Sequence, residues 1–378
     1  MCAVIGSLWH DQGVFPTSPQ NDGDRTGRPG RSGRSYGPRD PRRTGRPGGY
    51  AEREPTQGWG PPGEPPGRDR TRAERPPRRG VTAPEHPEEF RRPDQPPGEA
   101  VPVRRLLSLG VAGFAGLLGA ALIFGAQSAG VGAARIPYAV VIFGIQALFV
   151  LAWTVAVRPP APRVVGTVGI ATAIAADFAA VWPIQATAAP IGYVAAAGFV
   201  AGVVGQLVRR SGRVRATESL GATLVVVVGV VSFALLIVLT RLYLGTQAIV
   251  VSMSAVGVSL VVARVADAIA PYPRLAPQVP RGAGGIVIGA MCGTFLGAIL
   301  GSFFVEFDPQ RGALVGLVAA IAAVLADLAV GYAEASRRLA GEPGSLWLAR
   351  HLQGPLGGYA LAAPTVYVIS VIFLVPNS

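Results

Sequence analysis

Hydrophobic residues fill the chain in nine long stretches that begin near residue 105 and continue towards residue 375. Each stretch holds roughly 18 to 24 residues, and a bilayer core about 30 Å thick takes about 20 residues of helix. The pattern therefore predicts an all-α integral membrane protein with about nine transmembrane helices. The predicted spans are 105–126, 136–157, 164–184, 190–208, 219–240, 243–263, 284–305, 312–334 and 356–375.

Arginine is unevenly distributed between the polar connections, and this predicts the orientation of the spans. With the N-terminal segment placed in the cytoplasm, twelve Arg residues flank the inner ends of the spans. The outer connections then hold three, namely Arg135, Arg241 and Arg311. The bias predicts that the N-terminus is inside and the C-terminus outside, in the cytoplasmic membrane of the cell.

Residues 1–102 differ sharply from the rest, because they are rich in Arg, Pro and Gly and poor in aliphatic residues. Such a segment buries too little apolar surface to offset the entropy of ordering it, so we predict a disordered cytoplasmic tail. Its Arg residues favour anionic lipid headgroups. The tail lacks a folded reader and regularly spaced aromatics, and we expect no nucleic-acid binding. The use of Arg for all 34 basic residues is typical of a GC-rich, actinobacterial genome.

Glycine recurs at every fourth position of the seventh span. Small residues at this spacing allow another helix to approach closely, and a period of four makes the row wind slowly around the helix. The pattern indicates either tight packing within one chain or the seam of a homodimer. The row consists of Gly285, Gly289, Gly293, Gly297 and Gly301.

Acidic residues within or beside the spans are candidate functional residues. Asp327 lies inside the eighth span, where an ionised carboxylate costs about 2.5–3.5 kcal/mol on insertion scales and requires a partner or a wet cavity. Asp267 follows the sixth span, three residues after Arg264, a spacing at which the two side chains can pair on a helix. Asp177 in the third span is either paired or part of a shallow helix.

The connection after the sixth span combines helix-breaking prolines with arginine. Its prolines exclude a regular helix and so predict an irregular loop at the membrane surface. Arg274 and Arg281 lie in this loop, and guanidinium groups suit bidentate binding of phosphate. Anchoring by the positive-inside rule is the alternative. The prolines are Pro271, Pro273, Pro277 and Pro280.

Two runs of residues carry a resemblance to a known family. The first contains Asp267, Arg274-Leu275-Ala276-Pro277, Val279-Pro280-Arg281 and the glycine row. The second contains Ala326-Asp327-Leu328, Glu334, Ser336, Arg337-Arg338 and Gly357-Gly358. In order, spacing and placement, residues 216–378 resemble the phosphatidate cytidylyltransferase (CDP-diacylglycerol synthase) family.

This resemblance implies an N-terminal bundle of about four spans over 103–215 and a cytidylyltransferase-like region of about five spans over 216–378. It implies an enzyme that converts CTP and phosphatidate into CDP-diacylglycerol with Mg²⁺. Asp267 and Asp327 would be the catalytic, metal-binding residues. The residues that would hold phosphate or lipid are Arg274, Arg281, Arg337 and Arg338.

The sequence also departs from the family pattern. Arg281-Gly282-Ala283 stands where the family has Lys-Lys-Thr, and Leu356 replaces a His. Ala360, Leu361 and Ala363 replace the metal-binding acids that follow the paired glycines. Three hypotheses remain open: a divergent Mg²⁺-dependent cytidylyltransferase, a non-catalytic partner or regulator of envelope lipid synthesis, and a transporter.

Overall fold

A computed structural model describes residues 104–183, 185–208, 216–276, 278–341 and 346–374. The predicted disordered tail lies outside these ranges. Within them the chain forms nine long helices, each long and apolar enough to cross a membrane. The helices are α1 (Arg105–Gln127), α2 (Ile136–Val157), α3 (Pro162–Val181), α4 (Ala189–Val208), α5 (Ala216–Leu239), α6 (Gly245–Ile269), α7 (Ala283–Phe303), α8 (Pro309–Leu339) and α9 (Trp347–Ile369).

This architecture confirms the predicted all-α fold with nine spans, and the described part of the chain contains no β-strand beyond an isolated bridge between Arg274 and Gly282. Several helices run past the hydrophobic stretches that predicted them. α8 is 31 residues long, and α9 begins at Trp347 and continues through Pro355 and Pro364. The predicted polar connection 335–355 is therefore mostly helical.

Local sequence explains how α8 begins. Asp308 is its N-cap, and the Asp308 carboxylate accepts a hydrogen bond from the backbone N–H of Arg311 at 2.7 Å. Pro309 follows, in the first turn, where the missing N–H of proline costs nothing. The cap marks the residue at which α8 begins.

The glycine row of α7 packs against α6 and α8 of the same chain. A methyl group on Gly289 would lie 2.5 Å from the carbonyl oxygen of Ser259 in α6, and one on Gly297 would lie 2.6 Å from that of Gly312 in α8. Gly293 contacts both helices, so the row turns from α6 to α8 as a four-residue period requires. A homodimer through this row would have to displace α6 or α8, and the structure assigns the row to packing within one chain.

The remaining helices pack around this three-helix unit. α1 lies against α6, although the two belong to different predicted regions, and α2 to α5 pack against one another. α9 contacts α8 on one side and α2 and α5 on the other. The buried Tyr359 of α9 donates a hydrogen bond to the carbonyl oxygen of Ala115 in α1 at 3.0 Å. α9 thus joins the two groups of helices.

Candidate functional site

Asp267 lies in the last turn of α6 and is almost completely buried. Its Oδ2 accepts a hydrogen bond from Arg281 Nη1 at 2.9 Å, and its Oδ1 accepts one from the backbone N–H of Gly282 at 2.9 Å. Gly282 is the N-cap residue of α7. The carboxylate therefore neutralises the positive end of the α7 dipole and ties the end of α6 to the beginning of α7.

Asp327 lies in the long helix α8, and its side chain is 1% exposed. Its Oδ1 accepts a hydrogen bond from Arg264 Nη2 of α6 at 2.5 Å, and its Oδ2 forms an ion pair with Arg281 Nη2. The predicted local pair between Arg264 and Asp267 is replaced by two longer-range pairs. Arg264 turns to Asp327 in α8, and Arg281 reaches both carboxylates.

Arg281 is the central residue of this arrangement, which we call the Arg–Asp cluster: Arg264, Asp267, Arg281 and Asp327. Arg281 is 4% exposed and donates to one carboxylate with each of its two Nη atoms. Burial and the nearby charge of Arg264 lower the pKa of Arg281 to about 9, although Asp267 acts in the opposite direction. The Arg281 guanidinium still carries its charge at neutral pH.

Glycine allows neighbouring helices to pack directly against the cluster. A methyl group on Gly285 of α7 would lie 2.8 Å from Asp267 Oδ1, and Gly354 of α9 is in contact with the Asp327 carboxylate. The Arg–Asp cluster is therefore enclosed by α6, α7, α8 and α9. Sequence reasoning missed Gly354, because only its contact with a residue far away in the chain distinguishes it from other glycines.

The other three predicted phosphate-binding residues lie outside the Arg–Asp cluster. Arg338 forms an ion pair with Glu334, one turn earlier in α8, and Glu334 also pairs with Arg350 of α9. Arg337 donates to the carbonyl oxygen of Ala156 at 3.3 Å, near the C-terminal end of α2. The guanidinium of Arg274 lies 5.7 Å from the centre of the Tyr272 ring. Of the six predicted site residues, only Asp267, Asp327 and Arg281 come together.

The arrangement does not fit the predicted Mg²⁺ site. Mg²⁺ requires carboxylate oxygens that are free to bind it in octahedral geometry. Here each of the four oxygens of Asp267 and Asp327 already accepts from Arg264, Arg281 or the Gly282 N–H. The described residues also contain no group of three or more His, Cys, Asp or Glu side chains placed to hold a metal. The Arg281 guanidinium lies between the two carboxylates, where a shared cation would be.

Comparisons with known proteins add no relative to this picture. No protein-family model matches the chain, and no curated protein or solved structure matches it either. The resemblance to cytidylyltransferases therefore depends on the motifs in residues 216–378 alone.

Proposed function

We propose that this chain is a non-catalytic membrane protein with a cytidylyltransferase-like region, and that it acts as a partner or regulator of envelope lipid synthesis in the cytoplasmic membrane. Of the three hypotheses, the geometry of the Arg–Asp cluster favours this one. The link to lipid synthesis derives from the resemblance, whereas the loss of catalysis derives from the cluster.

One observation carries the proposal: the ion pairs of Arg281 with both Asp267 and Asp327. Transfer of a cytidylyl group requires neutralisation of the CTP phosphates, and Mg²⁺ supplies it in enzymes of this kind. A guanidinium fixed between the two carboxylates occupies their oxygens and repels a second cation. Because Arg281 is also buried, it is not presented to a phosphate in solution.

The other acids of α8 and its N-cap are engaged as well. Glu334 is engaged by Arg338 and Arg350, and Asp308 caps α8. The family's later acids correspond to Ala360, Leu361 and Ala363, which have no ligand atoms in their side chains. Two carboxylates that are already neutralised do not assemble the charge that metal-dependent phosphoryl transfer uses.

The first test is an assay of CDP-diacylglycerol formation. The purified chain in lipid–detergent micelles receives labelled CTP, phosphatidate and Mg²⁺, and an authentic cytidylyltransferase in the same micelles serves as positive control. We expect no product from this chain. Turnover by the wild-type chain would overturn the proposal, and its loss in an Asp327→Asn variant shown to be folded would establish the enzyme.

The second test concerns the regulatory role. The chain is reconstituted with the authentic cytidylyltransferase in vesicles, and the rate of CDP-diacylglycerol formation is compared with vesicles that contain an unrelated polytopic protein at the same density. We expect a specific change in the rate or in the apparent affinity for phosphatidate. An unchanged rate, together with no co-purification of the two proteins, would contradict a partner role in this step.

A further inference from the structure

A second buried polar site lies between α2, α3 and α5 and shares no residue with the Arg–Asp cluster. It contains Gln146 of α2, which is completely buried, and Asp177 of α3, which is 7% exposed. Gln146 Nε2 donates to Asp177 Oδ1 at 2.9 Å and to the carbonyl oxygen of Val230 in α5 at 3.0 Å. Both amide hydrogens of Gln146 are therefore used, and the side chain is fixed in its orientation.

Two acceptor atoms of this site have no donor within the described residues. They are Gln146 Oε1 and Asp177 Oδ2, and both are buried. Exchanging the positions of the Gln146 amide oxygen and nitrogen would not satisfy these acceptors, because the oxygen would then face Asp177 Oδ1. An unpaired buried acceptor costs about 1–3 kcal/mol, and a charged one costs more. At least one additional donor hydrogen is needed to satisfy these two acceptors.

Asp177 also forms none of the ion pairs of the described residues, unlike Asp267 and Asp327. The helices α2, α3, α4 and α5 contain no other charged side chain apart from Arg163 and Glu218 in their first turns. Tyr138 of α2 and Tyr193 of α4 are their only other titratable residues, and none of the ion pairs within the described part of the chain includes Asp177. An ionised carboxylate here would be buried within a membrane-spanning helix without an ion pair.

We propose that Asp177 and Gln146 form a proton-binding site, in which Asp177 Oδ2 takes up a proton and the carboxyl group becomes neutral. Proton uptake from hydronium forms one O–H bond and releases water, without any redox change. The neutral acid becomes a donor through Oδ2, while Oδ1 remains the acceptor of the Gln146 N–H. An apolar site can keep a buried carboxylic acid protonated, and the acid can then donate a hydrogen bond.

The helix lengths place this site closer to one end of α3 than to the other. Asp177 lies four residues before the end of α3 at Val181, or about 6 Å along the axis, and fifteen residues after Pro162, or about 22 Å. Arg241, in the connection after α5, donates to the carbonyl oxygens of Ala180, at 2.9 Å, and Pro183. Arg241 thus contacts α3 within one turn of Asp177 at this end.

The charged residue that contacts this end of α3 is basic. Burial lowers the pKa of Arg241, and the nearby charge of Arg135 lowers it further. Tyr138 lies about two turns before Gln146 in α2, and it is completely buried. We infer that the proton exchanges with the face of the membrane at which α3 ends, which is the outer face in the orientation predicted from the Arg distribution.

Infrared difference spectroscopy of the full chain in proteoliposomes tests this proposal. A protonated buried carboxyl gives a C=O stretching band that an ionised carboxylate lacks. We expect this band at pH 7, its loss in Asp177→Asn, and its retention in the matched control Asp308→Asn, in which an exposed capping residue changes. Absence of the band, or its persistence in Asp177→Asn, would overturn the proposal.

Two further measurements test the geometry and the exchange. Gln146→Leu removes the N–H that donates to Asp177 Oδ1, so we expect the band to move to higher frequency with its intensity retained. An unmoved band would show that the carboxyl does not accept from Gln146. Transfer into D2O should shift the band of the wild-type protein, and a band that stays in place after prolonged exposure would refute an exchangeable site.

Discussion

Arg281 and Asp327 form a buried ion pair that connects the loop before α7 to the middle of α8. The same guanidinium pairs with Asp267 at the end of α6. The Arg281 side chain therefore connects three consecutive helices, α6, α7 and α8. This shared ion pair distinguishes the site from a pair of carboxylates that is open to a metal.

Removal of one carboxylate should destabilise the Arg–Asp cluster strongly. In Asp327→Asn, Arg264 and Arg281 would share the one remaining acid, Asp267, in a buried position. Loss of one partner of a buried ion pair costs about 3–5 kcal/mol, because a charge is left without compensation. We expect a correspondingly lower unfolding midpoint in denaturant titration of the protein in micelles.

The matched control for this prediction is Asp308→Asn. It changes an exposed Asp to the same residue, and Asn is an equally good N-cap for α8. We expect its unfolding midpoint to remain within experimental error of that of the wild-type protein. Equal midpoints for Asp327→Asn and Asp308→Asn would mean that the buried ion pairs contribute nothing to stability.

Substitution within the glycine row should separate α7 from its neighbours. In Gly289→Ala the new methyl group would lie 2.5 Å from the carbonyl oxygen of Ser259, so α6 and α7 must move apart. Overpacking of this kind costs about 1–3 kcal/mol. The measurement is thermal unfolding of the detergent-solubilised protein, in which the variant should melt at a lower temperature.

Gly113→Ala provides the comparison, because no atom lies within 4 Å of the position that its methyl group would take. Alanine favours the helix over glycine by about 1 kcal/mol, so this variant should be as stable as the wild-type protein or more so. If Gly289→Ala were equally harmless, the close contact between α6 and α7 would be refuted.

Tyr359 provides a third test, at the junction of α9 and α1. Tyr359→Phe removes the hydroxyl that donates to the Ala115 carbonyl oxygen at 3.0 Å. A hydrogen bond of this kind contributes about 1 kcal/mol net. Tyr193→Phe is the control, since Tyr193 is 76% exposed and its loss should leave the unfolding midpoint unchanged. Equal unfolding midpoints for Tyr359→Phe and Tyr193→Phe would refute this hydrogen bond.

Hydropathy alone predicts the number of helices and most of their positions, because a span must satisfy its backbone hydrogen bonds internally. It misplaces the start of α9, since the polar turns from Trp347 to Gln353 fall below the hydrophobic threshold and Pro355 indicates a helix break. The surrounding helices accommodate the proline, and α9 continues through it.

The site shows a different limit of sequence reasoning. Spacing identifies Asp267, Asp327 and Arg281 as important, but it can evaluate only near neighbours such as Arg264 and Asp267. The partner of Arg264 is in fact Asp327, which is adjacent only after α6 and α8 have packed. The same holds for Asp177, whose contact with Gln146 joins two helices.

Arg281 takes the place of a cation between Asp267 and Asp327. Arg281→Ala would leave Asp267 Oδ2 and Asp327 Oδ2 without a donor, and two such oxygens with water can hold a divalent ion. Arg338→Ala removes an exposed guanidinium outside the cluster and serves as control.

The most direct measurement is Mn²⁺ binding to the purified full chain by electron paramagnetic resonance, with Mn²⁺ as the probe in place of Mg²⁺. We predict no specific binding by the wild-type protein or by Arg338→Ala, and one bound ion per chain in Arg281→Ala. One ion bound by the wild-type protein and lost in Asp327→Asn would contradict the account.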